Sequence, residues 1–233
     1  SALADADVLL YVTDVVEKVM PSCVSITNMS KQQIQSFWGQ TYFQDSESNG
    51  SGIIIGQNET ELLVVTNNHV VESANTIYVT FEGEISVPAK VIGTRSESDL
   101  AVITVSWKEL NDAGIEQVTT AVFGDSDALE VGSEVIAIGN AMGMGLSATD
   151  GIISMKEQTI NVDGNQLGVL QTSAAINSGN SGGALVNASG EVIGINTAKY
   201  NSAMVEGMGY AIPSNYITPI VEELLATGIQ PKP

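Results

Sequence analysis

The chain has 233 residues, 43% of them hydrophobic, enough to bury a large core in one domain or divided between two small barrels. Its 8 basic and 27 acidic residues leave a formal charge of −19, and that repulsion excludes nucleic acid and anionic membrane surfaces as expected partners. No apolar run approaches the roughly 18–20 residues of a membrane span, and no signal-peptide pattern opens the sequence. In chain order, residues 5–20 place Val8, Leu9, Val12, Val15, Val16 and Val19 at spacings of three and four. That spacing predicts a short amphipathic helix, stopped by Pro21, packing on the rest of the fold or on a neighbouring subunit. The single cysteine, Cys23, has no internal partner, and its neighbours Val24, Ser25 and Ile26 read as a strand with a small buried side chain. Residues 31–49 are polar and glutamine-rich, with Phe37, Trp38, Tyr42 and Phe43 among them, and are expected as a long exposed loop with an aromatic anchor.

Short β-type runs follow at 52–55, 62–66, 76–81, 85–92 and 100–105, and a second set at 134–138, 151–155, 158–162, 168–172, 184–186, 191–196 and 209–212. Strands at this density with turn residues between them predict an all-β antiparallel sandwich or barrel. Residues 107–117, with Asn111-Asp112-Ala113-Gly114, read as the connection between the two halves. The last predicted element is a helix at 219–226, capped by Ser214 or Thr218 and ended by Gly228.

Chemistry concentrates at Ile176-Asn177-Ser178-Gly179-Asn180-Ser181-Gly182-Gly183. A serine among three glycines suits a tight loop that exposes one hydroxyl together with several backbone N–H groups. Ser181 is the candidate nucleophile, and the amides of Gly179 and Ser181, with Asn180, are candidate oxyanion donors. Gly179-x-Ser181-x-Gly183 also fits a nucleophile elbow, in which the histidine follows the serine. The only histidine, His69, precedes Ser181, so the elbow order fails and the order histidine, aspartate, serine remains. An imidazole takes up and releases protons near neutral pH, which suits His69 as the base.

Asp99 is the best third member. It follows the polar Thr94-Arg95-Ser96-Glu97-Ser98 and directly precedes the apolar Leu100-Ala101-Val102-Ile103, where a loop meets a buried strand. Its carboxylate there would hold the imidazole with one nitrogen free to accept the serine proton. Asp125 and Asp127 read as turn formers rather than metal ligands, having no histidine or further ordered carboxylate nearby. A Cys23/His69 pair is set aside because nothing around Cys23 lowers a thiol pKa.

Thr66-Asn67-Asn68-His69-Val70-Val71, Ser98-Asp99-Leu100-Ala101-Val102 and Gly179-Asn180-Ser181-Gly182-Gly183 resemble the three catalytic motifs of the HtrA/DegP serine proteases. The likeness continues through Phe123-Gly124-Asp125-Ser126, Val135-Ile136-Ala137-Ile138-Gly139-Asn140, Ala174-Ala175-Ile176-Asn177 and Ala211-Ile212-Pro213-Ser214, covering residues 15–228. It implies a chymotrypsin-like double six-stranded β-barrel with short terminal helices, the site lying in the cleft between barrels. The expected divisions are an N-terminal helical segment at 1–22, a first barrel at 23–112, a second at 113–213, and a C-terminal helix and linker at 214–233. The implied activity is cofactor-free, metal-free hydrolysis of peptide bonds in unfolded or misfolded proteins. The resemblance also implies a homotrimer built through the N-terminal segment and a place in the bacterial envelope, periplasmic or anchored to the membrane outside this chain.

By the same resemblance Ala175 lies at the base of the specificity pocket, where no carboxylate is available to select lysine or arginine. Ile176 with the wall Ile195-Asn196-Thr197 implies a small or medium aliphatic side chain before the cut. Residues 140–149 correspond to an activation loop and 198–208 to a loop bordering the pocket. Departures from the family pattern are Lys199 in place of an aliphatic residue, Ser173 in place of aspartate and Ala141 in place of proline. Gly143-Met144-Gly145 leaves the activation loop with little backbone restraint. Family members usually continue into PDZ domains, so this chain is expected to be the protease domain of a longer protein. The rival expectation is a holdase or binding protein that keeps the fold while its site rests misaligned.

Overall fold

The computed structural model describes residues 2–35, 41–140, 144–162, 165–199 and 208–228. Among the described residues twelve strands form two closed antiparallel barrels of six. The first contains β1 (Cys23–Gln35), β2 (Thr41–Gln57), β3 (Glu61–Thr66), β4 (Thr76–Thr80), β5 (Ser86–Arg95) and β6 (Leu100–Ser106), in the order β1-β2-β3-β6-β5-β4, closed by β1 against β4. The second contains β7 (Glu134–Gly139), β8 (Ser147–Val162), β9 (Asn165–Thr172), β10 (Ala184–Val186), β11 (Val192–Thr197) and β12 (Gly209–Pro213). Its order, β7-β8-β9-β12-β11-β10, repeats that of the first, with β7 closing on β10. Closure leaves neither sheet with an open edge, as a barrel requires.

The cores explain why these runs form strands. One cluster fills the first barrel with Val24, Ile26, Ile54, Val64, Val79, Ile103 and their neighbours. Another fills the second with Val135, Ile153, Leu170, Leu185 and Ile193. The largest joins the two: Ile53, Val65, Leu100 and Val102 from the first barrel meet Ile138, Ala184, Ile195 and Ile212 from the second. Residues on either side of Ile53/Ile54 therefore face different cores, which is the period of two expected of a strand.

The predicted N-terminal helix is present as α1 (Ala2–Val19), followed by a 3-10 turn at Met20–Ser22 that contains Pro21. Val15 and Val19 join the inter-barrel core, and the Lys18 ammonium donates to the Ser189 carbonyl at 2.7 Å. Short α2 (Asn68–Val71) follows β3. The expected connection opens with α3 (Trp107–Asp112), whose first turn is capped by the Ser106 hydroxyl accepting from Lys108 N–H at 3.2 Å. The chain then runs between the barrels, with Ala121 N–H donating to the Ile54 carbonyl and Val192 N–H to that of Val122.

Three expectations are corrected. Residues 31–35 and 41–49 are strands rather than loop: β1 and β2 pair in register from Cys23↔Ile53 out to Gln35↔Thr41. On its outer part Phe43, Gln44, Asp45 and Glu47 are exposed, so it lacks the apolar alternation that reveals a strand. Phe43 is 70% exposed, whereas Phe37 and Trp38 lie outside the described residues. The runs 151–155 and 158–162 are one strand, β8, with register shifts around Met155. The last helix, α4 (Ser214–Gly228), begins five residues before Pro219. Proline there lacks the N–H that would reach the Asn215 carbonyl, and the Thr218 hydroxyl donates separately to the Ser214 carbonyl at 3.0 Å. Ser214 does not cap this helix, because its own hydroxyl donates to the Gly124 carbonyl at 2.7 Å.

Asp125 forms the expected turn, accepting from Asp127 N–H at 2.9 Å and from the Asn215 amide at 2.7 Å. The Asn215 contact, then the Asp127 N–H, holds its carboxyl below the usual carboxylate range. Cys23 is buried in the inter-barrel core, and burial pushes its thiol up to about 12, which removes it as a nucleophile.

Candidate active site

α2 turns Val70 and Val71 into the core of the first barrel and leaves His69 at the cleft, its side chain 23% exposed. Asp99 ends the 3-10 turn Ser96–Ser98 in the left-handed conformation, φ 52° and ψ 41°, which aspartate tolerates better than most residues. The Asn67-Asn68-His69 segment grips it. The Asn67 amide and Asn68 N–H donate to the Asp99 carbonyl at 2.9 and 3.1 Å, and His69 N–H donates to Oδ1 at 3.0 Å. His69 Nδ1 lies 2.8 Å from Oδ2 and 2.9 Å from Oδ1. An ionised carboxylate only accepts, so the proton belongs on Nδ1 and Nε2 is left as the basic nitrogen. The Thr197 hydroxyl adds a longer contact to Oδ2 at 3.4 Å. These contacts let a carboxylate with no solvent exposure persist inside the protein.

The serine loop is built around glycines for two different reasons. Asn180 N–H donates to the Asn177 carbonyl at 3.0 Å, and Gly179 has φ +98° while Ser178 does not have a positive φ. This is a type II turn, which requires a residue at ease with positive φ in its third position. Gly182 also has φ +85°, and a Cβ there would lie 2.1 Å from the Ser51 carbonyl and 2.3 Å from Thr66 Oγ1. Among the described residues the N–H groups of Gly179 and Ser181 have no hydrogen-bond partner, so both are available to a ligand oxygen. Asn180 is corrected here: its N–H closes the turn and its side-chain amide donates to the Ala175 carbonyl at 3.2 Å. Neither group faces an anion.

The Ser181 hydroxyl oxygen accepts from Ala198 N–H at 2.9 Å, and no hydrogen bond joins it to His69 among the described residues. Ala198 follows Thr197, whose hydroxyl touches Asp99. One short stretch at the end of β11 therefore contacts both the serine and the aspartate.

The expected pocket wall is only partly present. Ala175 and Lys199 are exposed. Ile195, Asn196 and Thr197 have no exposure at all, and Ile176 is buried in the core of the second barrel. Asn196 instead donates to the Ala184 carbonyl at 2.9 Å, and its own carbonyl receives Gly182 N–H at 2.9 Å. Three of these wall candidates are consecutive residues of β11, and their side chains are buried. Ala141, Gly143 and most of 198–208 lie outside the described residues. The motifs missed Ser51 altogether, and they gave no individual role to Asn67 in the histidine motif or to Asn140 and Ala198 in the two bordering loops. A serine between Gly50 and Gly52 at the head of an apolar strand was the one available signal.

Residues 50–195 match the trypsin-like peptidase domain. The chain belongs to the trypsin-like peptidase family. Within it, this peptidase domain is 43% identical over 230 residues to the serine protease Do-like HtrB of Bacillus subtilis, covering 95% of this chain and 49% of that protein. It is 37% identical over 240 residues to the periplasmic pH-dependent serine endoprotease DegQ of Escherichia coli, covering 97% and 50%. The solved HtrA-type protease AlgW with a decapeptide superposes with TM-score 0.76 at 29% identity, covering 94% of this chain and 68% of that one. The double barrel is thus of the chymotrypsin-like kind, and the domain is a serine endopeptidase domain of the HtrA type. It spans about half the length of the curated relatives it matches. Among the described residues no helix is long and apolar enough to cross a membrane.

Proposed function

We propose that Ser181, His69 and Asp99 form the catalytic triad of this domain and that the N–H groups of Gly179 and Ser181 form its oxyanion hole. The observation that carries this reading is the pairing of a buried Asp99 with His69 Nδ1 beside a serine flanked by two unpaired N–H groups. Ser181 Oγ attacks the carbonyl carbon of the peptide bond while its proton passes to His69 Nε2. The carbonyl oxygen becomes anionic against the two N–H groups, and Nε2 returns the proton to the departing amine. Asp99 keeps the Nδ1 proton in place and stabilises the imidazolium. In the described arrangement Ser181 Oγ accepts from Ala198 N–H, and its own proton remains free to turn toward Nε2. Hydroxyl-to-imidazole bonds of this kind commonly tighten only when substrate is bound.

The substrates proposed are unfolded or misfolded polypeptides, with a small or medium aliphatic side chain before the cut. The exposed Ala175 and the absence of a carboxylate among the pocket candidates support that choice. An extracytoplasmic place and assembly into a homotrimer through the N-terminal segment complete the proposal. The first has support from relatives named as periplasmic. The Ser181 to Ala198 bond gives the rival resting-site binder its one specific observation. A fluorophosphonate probe separates the two. Covalent labelling mapped to Ser181, lost in Ser181→Ala, is the expected result; absence of labelling even with an unfolded substrate present overturns the protease reading.

A further inference from the structure

Ser51 lies on β2 of the first barrel, has no solvent exposure, and makes four hydrogen bonds to three separate parts of the site. Its N–H donates to the Ser181 carbonyl at 2.8 Å, and its hydroxyl donates to the Gly179 carbonyl at 2.8 Å. The same hydroxyl oxygen accepts from Asn140 N–H at 2.7 Å. Its carbonyl accepts from the hydroxyl of Thr66, three residues before His69, at 2.6 Å. The hydroxyl lies against Gly139, where an added Cβ would stand 3.0 Å from it.

We propose that the Ser51 hydroxyl is a positioning residue for the oxyanion hole, coupling the β7–β8 loop to the turn that carries the two donors; this deepens, and rests on, the catalytic reading above. The peptide unit between Gly179 and Asn180 is held at both of its polar groups. Its oxygen is held by Ser51 Oγ and its N–H by the Asn177 carbonyl. The N–H of Gly179 lies at one end of that unit and the N–H of Ser181 at the other, so clamping it sets the angle between them. The clamp continues outward through Asn140, whose side-chain oxygen accepts from Gly145 N–H at 2.8 Å. Movement of residue 145 is thereby linked, through Asn140 and Ser51, to the carbonyl of Gly179. A hydroxyl suits this place because it accepts from an N–H and donates to a carbonyl at once. A methyl group does neither, and leaves a buried N–H and a buried carbonyl without partners.

The test compares Ser51→Ala and Ser51→Cys with the parent on a cleavable peptide, on a peptide boronate that forms a tetrahedral adduct, and on an uncleaved peptide binding to each variant in a Ser181→Ala background. Loss of a whole oxyanion donor costs about 10²–10³ in rate, so loosening both is expected to lower kcat about 10–100-fold in Ser51→Ala. Boronate affinity falls in proportion, while KM and uncleaved-peptide affinity stay within about threefold. Ser51→Cys, which keeps a weak donor of similar shape, falls between. If Ser51→Ala does not fold, Ser51→Cys carries the comparison: a lower kcat at unchanged KM supports the proposal, and an unchanged kcat overturns it. Equal losses in boronate and uncleaved-peptide affinity also overturn it, because they mark a general structural role. A parent protein that reacts with a fluorophosphonate at Ser181 while Ser51→Ala reacts equally fast overturns only the role of Ser51. A parent that does not react overturns the catalytic reading and this one together.

Discussion

Replacing Asp99 by asparagine changes neither size nor shape at a site with no solvent exposure, so packing is preserved and only hydrogen-bond polarity is altered. The structure dictates how the new amide sits. Oδ1 accepts from His69 N–H at 3.0 Å, and a backbone N–H only donates, so the amide oxygen must take that position. The NH₂ group is then placed where Oδ2 was, 2.8 Å from His69 Nδ1. An NH₂ there must donate, Nδ1 must accept, and the ring proton moves to Nε2. Thr197 Oγ1 adapts by accepting instead of donating. With Nε2 protonated, the ring is unable to receive the Ser181 proton. Inverting this tautomer in a serine–histidine–aspartate site costs about 10⁴ in kcat, or about 5.5 kcal/mol of transition-state stabilisation.

Two measurements check this reasoning. Turnover of a peptide substrate should fall by about 10⁴ in Asp99→Asn with KM nearly unchanged. His69 is the only histidine in the chain, so nitrogen-15 spectra of the labelled imidazole report on this ring alone and should show its proton moved from Nδ1 to Nε2. Thermal unfolding should move little. Asp99→Ala separates charge from satisfaction: it strands the buried His69 N–H and costs about 1–3 kcal/mol of stability in denaturant unfolding. An Asp99→Asn enzyme within tenfold of the parent, or a ring proton still on Nδ1, refutes the assignment of Asp99 as the group that orients His69.

Other consequences follow from single contacts. Gly182→Ala combines a positive φ, worth about 1–2 kcal/mol for a residue with a Cβ, with a 2.1 Å clash against the Ser51 carbonyl; it should lower the unfolding midpoint and abolish fluorophosphonate labelling together. Burial raises the Cys23 thiol from 9.0 to about 12, so its contribution is intact below pH 9 and is lost as pH rises from there. At pH 10 the parent should have lost about 1.4 kcal/mol that Cys23→Ala does not lose, measured by denaturant unfolding at pH 8 and pH 10. The native thiol should also resist a disulfide reagent that titrates it at once in denaturant. Tyr216→Phe removes the contact between Tyr216 on α4 and the buried Ser98 hydroxyl at 3.0 Å, and should cost about 1 kcal/mol of stability with little change in kcat.

What the sequence revealed follows from how each residue signals its place. His69, Asp99 and Ser181 stand in short motifs whose order excludes other serine-hydrolase arrangements, and the barrel strands carry apolar residues wherever they face a core. The outer half of the β1–β2 hairpin, where Phe43, Gln44, Asp45 and Glu47 are exposed, carries no such pattern. Pro219 looked like a helix start because proline is at home there, but α4 begins a turn earlier, at Ser214. The full burial of the Ile195, Asn196 and Thr197 side chains was not legible, because that sequence looks the same whether β11 is buried on one face or on both. Asn180 sits between the two N–H donors and resembles a third, yet turn geometry commits its own N–H to Asn177. Ser51 was not legible because all its significance lies in residues that are distant in the chain.

The same distance explains how the fold makes a site that neither barrel contains. His69 and Asp99 are fixed to each other by contacts wholly within the first barrel, and the type II turn around Gly179 is closed wholly within the second. Each half of the chemistry is therefore specified locally, but the distance from Ser181 to His69 is a property of the packing between barrels. That packing is a shared core, with Ile53, Leu100, Ile138 and Ile195 in one cluster alongside Val19 of α1 and Leu224 of α4. α4 leaves the second barrel and lies on the first, where Leu224 is packed so closely against Gly93 that a Cβ there would stand 3.1 Å away. Across this core the direct hydrogen bonds at the site are few, and Ser51 makes those that reach the nucleophile loop. A small sliding of one barrel on the other would leave both local halves intact and still separate the base from the nucleophile. Regulation of such a site needs no change within either half, only a bias on the bonds between them.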